Sequence, residues 1–147
     1  NLSYASLRFA NVYGPRQDMS AEGGVVAIFI DKILKMDQAI IFGDGTQTRD
    51  FIYVSDVVKA CFLSLRNDVF GEFNISTAKE TSILSLYKKL IELSNVKVDR
   101  KFEKCKFPEV KRSSLSFKKF QNACNWEPKV DLDQGLKLAF AYFQKIQ

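Results

Sequence analysis

Histidine is missing from all 147 residues of this sequence. That removes Ser-His-Asp and Cys-His catalysis and every histidine-based metal site. Cysteine is scarce: Cys61, Cys105 and Cys124 show no C-x-x-C spacing. An odd, unpatterned set argues against a disulfide framework and against zinc, so no metal is expected. Cys61 lies in an apolar helical stretch and is expected in the core. No apolar run approaches the roughly 20 residues that cross a bilayer. The start, Asn1-Leu2-Ser3-Tyr4, lacks a charged-then-apolar leader pattern. A cytoplasmic protein without a membrane partner is the expectation. No internal repeat or low-complexity linker is visible.

What is present suffices for one folded unit over 1–147. Apolar residues make up 46% of the chain and include 13 phenylalanines, enough for a real core. Charged residues at 27% are far from the composition of a disordered polymer. The net charge of +5 is uneven, because residues 97–119 hold nine Lys/Arg against three acidic residues. That stretch carries only Phe102, Phe107 and Phe117 as aromatic interleaving and no recognisable nucleic-acid motif. A solvated face, or the rim of an anionic small-molecule site, is favoured over nucleic-acid binding.

Along the chain, strands and helices alternate, which favours an α/β architecture. Leu7 to Val12 reads as a buried strand, ended by the turn at Tyr13-Gly14-Pro15. Gly23-Gly24 precedes a helix over Val25 to Met36, whose N-terminus suits an anion. Ala39 to Phe42 is a short strand. Ser55 is the expected N-cap of a helix to about Leu65, and Phe73 to Ser76 a further strand. Thr81-Ser82 opens a helix with Ile83, Leu86, Tyr87, Leu90 and Ile91 at helical spacing. Val96 to Phe102 alternates as an exposed strand, and Phe117 to Cys124 forms a short helix. Asp131 with Gln134 is a capping box for the last helix.

The densest chemistry lies at Gly43-Asp44-Gly45-Thr46-Gln47-Thr48-Arg49-Asp50, followed by Phe51-Ile52-Tyr53-Val54. Two glycines permit the positive φ of a tight turn. An arginine beside such a turn suits bidentate binding of a phosphate or carboxylate. A plain surface hairpin with a solvated arginine is the other reading.

Several segments, in order, resemble one family. They are Leu7-Arg8-Phe9-Ala10-Asn11-Val12-Tyr13-Gly14-Pro15-Arg16-Gln17, Gly23-Gly24-Val25-Val26-Ala27-Ile28-Phe29, and Ile41 to Val57. Asn74-Ile75-Ser76, Glu109-Val110-Lys111-Arg112-Ser113 and Asn125-Trp126-Glu127-Pro128 follow. Together they resemble the C-terminal part of the extended short-chain dehydrogenase/reductase family, in particular its NAD-dependent nucleotide-sugar epimerases such as the UDP-glucose 4-epimerases. The resemblance implies the last strands of a Rossmann-type parallel sheet plus a small α/β substrate-binding domain. It also implies an NAD cofactor that accepts a hydride from the sugar C4 and a UDP-sugar substrate. Homodimers are common in that family. The 4,6-dehydratases and decarboxylases of nucleotide sugars share the fold and stand as the alternative, as does a non-catalytic nucleotide-sugar-binding remnant.

The family's Tyr-x-x-x-Lys and its glycine-rich dinucleotide turn are not in this sequence. Position 8, four after Tyr4, is Arg8; Tyr53 is followed at that spacing by Val57 and Tyr87 by Ile91. No catalytic residue is therefore assigned here, and the isolated chain is expected to be inactive. By resemblance, Asn11 and Arg49 contact the diphosphate, Ile41 and Phe42 flank the uracil, and Gly24 and Val25 border the sugar pocket. Val12 lies near the nicotinamide through its backbone. Core packing is the competing reading for Val12 and Ile41. Lys106 stands where the family has an arginine of an Arg-x-Gly-Asp/Glu stretch, and lysine lacks the planar fork. Asp50 and Asp56 are expected to be structural, as a turn acceptor and a helix cap.

Overall fold

The computed structural model describes residues 4–20, 23–66, 68–105 and 108–146. Twelve elements follow in order: β1 (Ala5–Phe9), β2 (Asn11–Tyr13), α1 (Val25–Leu34), β3 (Ala39–Phe42), β4 (Thr48–Tyr53) and α2 (Val54–Ser64). Then come β5 (Gly71–Ile75), β6 (Glu80–Ser82), α3 (Ile83–Ser94), β7 (Arg100–Glu103), α4 (Lys118–Cys124) and α5 (Leu132–Ile146). The α/β class is as expected, and its strand pairs are mostly parallel: β1 with β5, β2 with β4 and β3 with β7, while β4 pairs β6 antiparallel.

The expected strand at 7–12 is two strands. It changes partner at Ala10, whose N–H still donates to the Ile75 carbonyl. Upstream the chain follows β5, and downstream it follows β4. β1 is not buried as expected; its residues are half-buried or exposed.

β4 is the wall between two cores, and period-2 alternation explains why. Phe51 and Tyr53 face one cluster, which holds Phe29 and Ile30 of α1, Leu86 and Tyr87 of α3, and Leu136 and Phe143 of α5. Ile52 faces the other, built from Val57, Phe73, Ile75, Phe120 and Trp126. In the second core the rings of Phe117 and Phe120 meet Trp126 edge-on at 5.8 and 5.6 Å. In the first, α5 approaches so closely that a Cβ on Gly135 would lie 2.0 Å from the Tyr13 hydroxyl oxygen. Burial pushes the Tyr13 pKa far up. The phenol therefore stays protonated and donates to the Leu132 carbonyl.

Several local expectations change. Residues 43–50 are not a hairpin, because β3 and β4 do not pair; the turn carries the chain from one sheet to another. Ser55 does not cap α2, which starts at Val54, two residues earlier than that cap implies, with Tyr53 as its N-cap. Asp56 does not cap its own helix either. Its carboxylate accepts from the Lys129 and Val130 N–H groups, both at 3.0 Å, and so pins the approach to α5. Ser82 does cap α3, accepting from the Ser85 N–H at 3.1 Å. The strand expected over 96–102 shortens to β7. β6 has no periodic signal, being only three residues long. Cys61 is exposed rather than in the core.

Candidate functional site

The turn after β3 is built from its own side chains. Gly43 and Gly45 have φ of +66° and +76°, where a Cβ is strained. Asp44 accepts from both the N–H and the hydroxyl of Thr46, an Asx-turn that holds its carboxyl below the usual range. The carbonyls of Gly45 and Gln47 then accept from the N–H groups of Leu84 and Ile83. The turn is thereby fastened to the start of α3, and the side chains of Gln47 and Arg49 leave a fixed backbone.

These two side chains converge on Glu109. Arg49 Nη2 donates to Glu109 Oε1 at 2.8 Å, while Gln47 Nε2 donates to Glu109 Oε2 at 3.2 Å. Gln47 Nε2 also donates to the Phe42 carbonyl at 2.9 Å. Arg49 Nη1 donates to the carbonyls of Thr48 and Val110 at 2.8 and 2.7 Å. The Arg49 side chain, 16% exposed, thus commits three of its five guanidinium N–H groups, and no described residue takes the other two. Phe42, which joins this network through its backbone carbonyl, is 45% exposed, whereas Ile41 is 1% exposed and belongs to the core.

The segment that carries Glu109 runs alongside β4. Thr48 N–H donates to the Lys111 carbonyl at 2.8 Å, and Ser113 N–H to the Thr48 carbonyl at 3.2 Å. Arg112 forks onto Glu80 through Nε and Nη2 at 3.0 and 2.8 Å, and the Thr48 hydroxyl joins the same carboxylate. The Arg112 bonds, then the Thr48 bond, lower the Glu80 pKa to about 2. On the same face of β4 as Thr48 and opposite Arg49, buried Asp50 accepts from the Thr77 N–H and hydroxyl and from the Ala78 N–H, at 3.0, 2.6 and 2.9 Å. It is the turn acceptor the sequence suggests, acting on a turn 27 residues away.

A second joint lies at the start of α1. Gln17 Nε2 donates to the Val12 carbonyl at 3.0 Å. Gly24 is the N-cap of α1, and a Cβ there would meet Gln17 Nε2 at 2.1 Å. Val12 and Gly24 are therefore gathered by Gln17, and Val25 follows Gly24 as the first residue of α1. Asn11 is exposed, and its side chain has no hydrogen-bond partner among the described residues. It pairs in register with Phe51, two residues along β4 from Arg49. Of the expected site residues, Phe42 and Arg49 share one network, and Asn11 sits on the neighbouring strand. Lys106 lies outside the described residues. A hollow of about 210 Å³ between Thr77, Lys79, Pro128 and Asp131 is lined by none of them.

The sequence did not single out Gln47, Gln17 or Glu80. Their partners are 62, 5 and 32 residues away, and no periodicity marks such pairs. Among the described residues no His/Cys/Asp/Glu group is arranged to hold a metal ion, and no helix is long and apolar enough to cross a membrane.

A family model, the NAD dependent epimerase/dehydratase family, matches residues 1–76. A putative UDP-glucose 4-epimerase of Methanocaldococcus jannaschii is 44% identical over 138 residues, covering 92% of this chain and 44% of that protein. A UDP-N-acetyl-alpha-D-glucosaminuronate decarboxylase of Bacillus cytotoxicus is 34% identical, covering 96% of this chain and 46% of that protein. The crystal structure of UDP-glucose 4-epimerase from Thermotoga maritima with UDP-glucose superimposes with a TM-score of 0.95 at 42% identity, covering 99% of this chain and 47% of that one. The chain spans about half the length of the relatives it matches.

Proposed function

This chain belongs to the NAD dependent epimerase/dehydratase family, and from that membership we propose that it is the substrate-binding part of a nucleotide-sugar 4-epimerase acting on a UDP-hexose. The observation that carries the reading is the Arg49 fork. Among the described residues nothing takes two N–H groups of a guanidinium that Thr48, Val110 and Glu109 hold in place, and Gln47 ties the backbone of exposed Phe42 to the same Glu109. A preorganised fork in one network with an exposed aromatic residue suits a diphosphate joined to a base. In this reading Arg49 neutralises the diphosphate, Phe42 packs on the uracil and Asn11 adds a polar contact from β2. Gly24 and Val25 border the sugar, and Lys106 adds charge.

Bound NAD would supply the reversible hydride chemistry at the sugar C4. The described residues do not build a dinucleotide cradle. Gly43 and Gly45 lead into a strand rather than a helix, and no strand lies among the described residues between β2 and Gly23-Gly24. Val12 contributes backbone only, and its carbonyl is already taken by Gln17. NAD is accordingly held by the rest of a longer, cytoplasmic protein, which also supplies the proton-transfer tyrosine and any homodimer contact. This chain alone binds without turnover.

Calorimetry with UDP and UDP-glucose tests the binding. Arg49→Ala is expected to weaken both ligands, and equal affinities would overturn the reading. Turnover by the purified chain alone would contradict its assignment as a binding part. A decarboxylase reading is favoured by the Bacillus relative and by UDP-glucuronic acid decarboxylases of Arabidopsis thaliana and Xenopus tropicalis, 30 to 33% identical to this chain. Release of carbon dioxide from a UDP-uronic acid by the longer protein, without C4 epimerisation, would establish it.

A further inference from the structure

The first cations of the basic run at 97–119 do not belong to the Arg49 network. Lys97 and Arg100 face an open hollow of about 320 Å³ between α3 and β7, with Lys88 on its α3 side. β7 alternates, so Arg100 and Phe102 share one face, and Lys101 and Glu103 the other. The register sets Arg100 beside Ala39 and Phe102 beside Ile41, on the buried face of β3. Exposed Phe42 lies on the opposite face, beside Glu103. The hollow is therefore across this sheet from Phe42, and no residue of the Arg49 network lines it.

Arg100 is held there by rings. Its guanidinium carbon stands 5.8 Å from the centre of the Tyr87 ring and 5.7 Å from that of Phe102, both within cation–π range. Tyr87 is itself fixed. It is 2% exposed, meets Phe29 edge-on at 5.6 Å, and donates its hydroxyl proton to the Val98 carbonyl. Arg8, Arg49, Arg66 and Arg112 each meet a carboxylate. Arg100 meets none among the described residues, and its N–H groups have no acceptor there. Lys88 and Lys97 are likewise without an ion-pair partner among the described residues. A ring-held fork with unmet donors, flanked by two ammonium groups, is an arrangement for an oxyanion.

The rest of the lining limits what that oxyanion is. Glu92 and Asp99 border the same hollow and pair with none of the three cations. Together with the C-terminal end of α3, where the helix dipole is negative, they repel a long polyanion. Ile91 and Val98 supply an apolar floor, and about 320 Å³ is at the low end for a small-molecule site. We propose that Lys88, Lys97 and Arg100 form a second anion site, which binds the phosphate group of a small phosphate monoester whose organic part lies on Ile91 and Val98. Arg100 takes two phosphate oxygens through its fork, and the lysines neutralise the group. The site is separate from the nucleotide-sugar site and does not depend on that reading.

Amide NMR titration of the 147-residue chain locates the ligand residue by residue. Phenyl phosphate at millimolar concentration is expected to shift the amides of Lys97 to Arg100, and to bind several-fold tighter than inorganic phosphate. Arg100→Ala should weaken it about tenfold or more. Arg100→Lys, which keeps the charge without the fork, should weaken it several-fold. Both variants should keep the urea midpoint, because Arg100 is exposed. Silence at Lys97 to Arg100 would overturn the proposal, and so would shifts there that Arg100→Ala leaves intact. Benzoate binding as tightly as phenyl phosphate would overturn the choice of phosphate. An oligonucleotide whose affinity climbs with its length would make the hollow part of a nucleic-acid groove and reject a small ligand. UDP serves as the control for the other site. Phenyl phosphate shifts at Lys97 to Arg100 with no UDP shifts at Gln47 to Arg49 would uphold this site and reject the nucleotide-sugar reading.

Discussion

Replacing Asp50 with alanine should loosen the molecule at a place far from Asp50 in sequence. Its carboxylate binds the Thr77 N–H and hydroxyl and the Ala78 N–H. Ala78 has φ of +57°, a left-handed conformation that costs a residue with a Cβ about 1–2 kcal/mol. Asp50 is what holds it there. Hydrogen bonds to a charged group contribute about 1.5–3 kcal/mol each. Thr77 and Ala78 lie on an accessible turn that water can re-solvate, so the low end applies. Asp50→Ala should cost on the order of 3 kcal/mol, and Asp50→Asn about 2 kcal/mol, since one oxygen survives while an amide NH2 faces the Ala78 N–H. Ala78→Gly should return about 1 kcal/mol to either variant by relieving the positive φ. The assay is urea unfolding, read as a midpoint shift at constant slope, with hydrogen exchange at Thr77 and Ala78. A loss under about 1 kcal/mol, or unchanged exchange at those two amides, would refute the reasoning.

Gly135→Ala should destabilise the fold by about 1–2 kcal/mol despite the better helix propensity of alanine, because overpacking against buried Tyr13 outweighs it. Tyr13→Phe in the same chain should recover part of that loss in thermal unfolding. Phe42→Ala should leave the unfolding midpoint nearly unchanged, the ring being half exposed, yet weaken UDP several-fold in calorimetry. A stability loss like that of a core phenylalanine would reverse that assignment. The Glu80 pKa is lowered in the fold, so the stability it lends the 109–113 segment is complete above its unfolded value. It is lost as pH falls through about 2. Amide exchange at Thr48 and Ser113 should therefore stay protected at pH 4, and early release there would contradict the Glu80–Arg112 clamp.

Elements with internal periodicity were legible from the chain alone. α1, α3, α4 and α5 fall where apolar spacing and caps put them, and Asp131 does accept from the Gln134 N–H to open the last helix. β3 and β4 read as strands because four to six residues of β-favouring sequence flank a glycine turn. Pairing did not follow from adjacency. A two-glycine turn between two strands suggests a hairpin, yet β3 takes β7 and β4 takes β2 and β6. Partner choice depends on which faces are buried, and that is a property of the assembled chain. Cys61 was misplaced for a similar reason. Its neighbours are apolar, but the angular position of one residue on α2 and the extent of the cover over it are not written in local composition.

The sequence by itself determined the α/β class, the absence of histidine chemistry and the family likeness, because residue types and their order are enough for each. It also marked Arg49 as an anion-binding candidate from a glycine turn. Only the tertiary structure decided what Arg49 can offer. Glu109 reaches it from 60 residues away, Val110 from 61, and Gln47 ties the same carboxylate to Phe42. These bonds take three of its five N–H groups, and no described residue takes the other two. A hydrogen bond has a direction and a length, and those exist only once distant segments have been brought side by side.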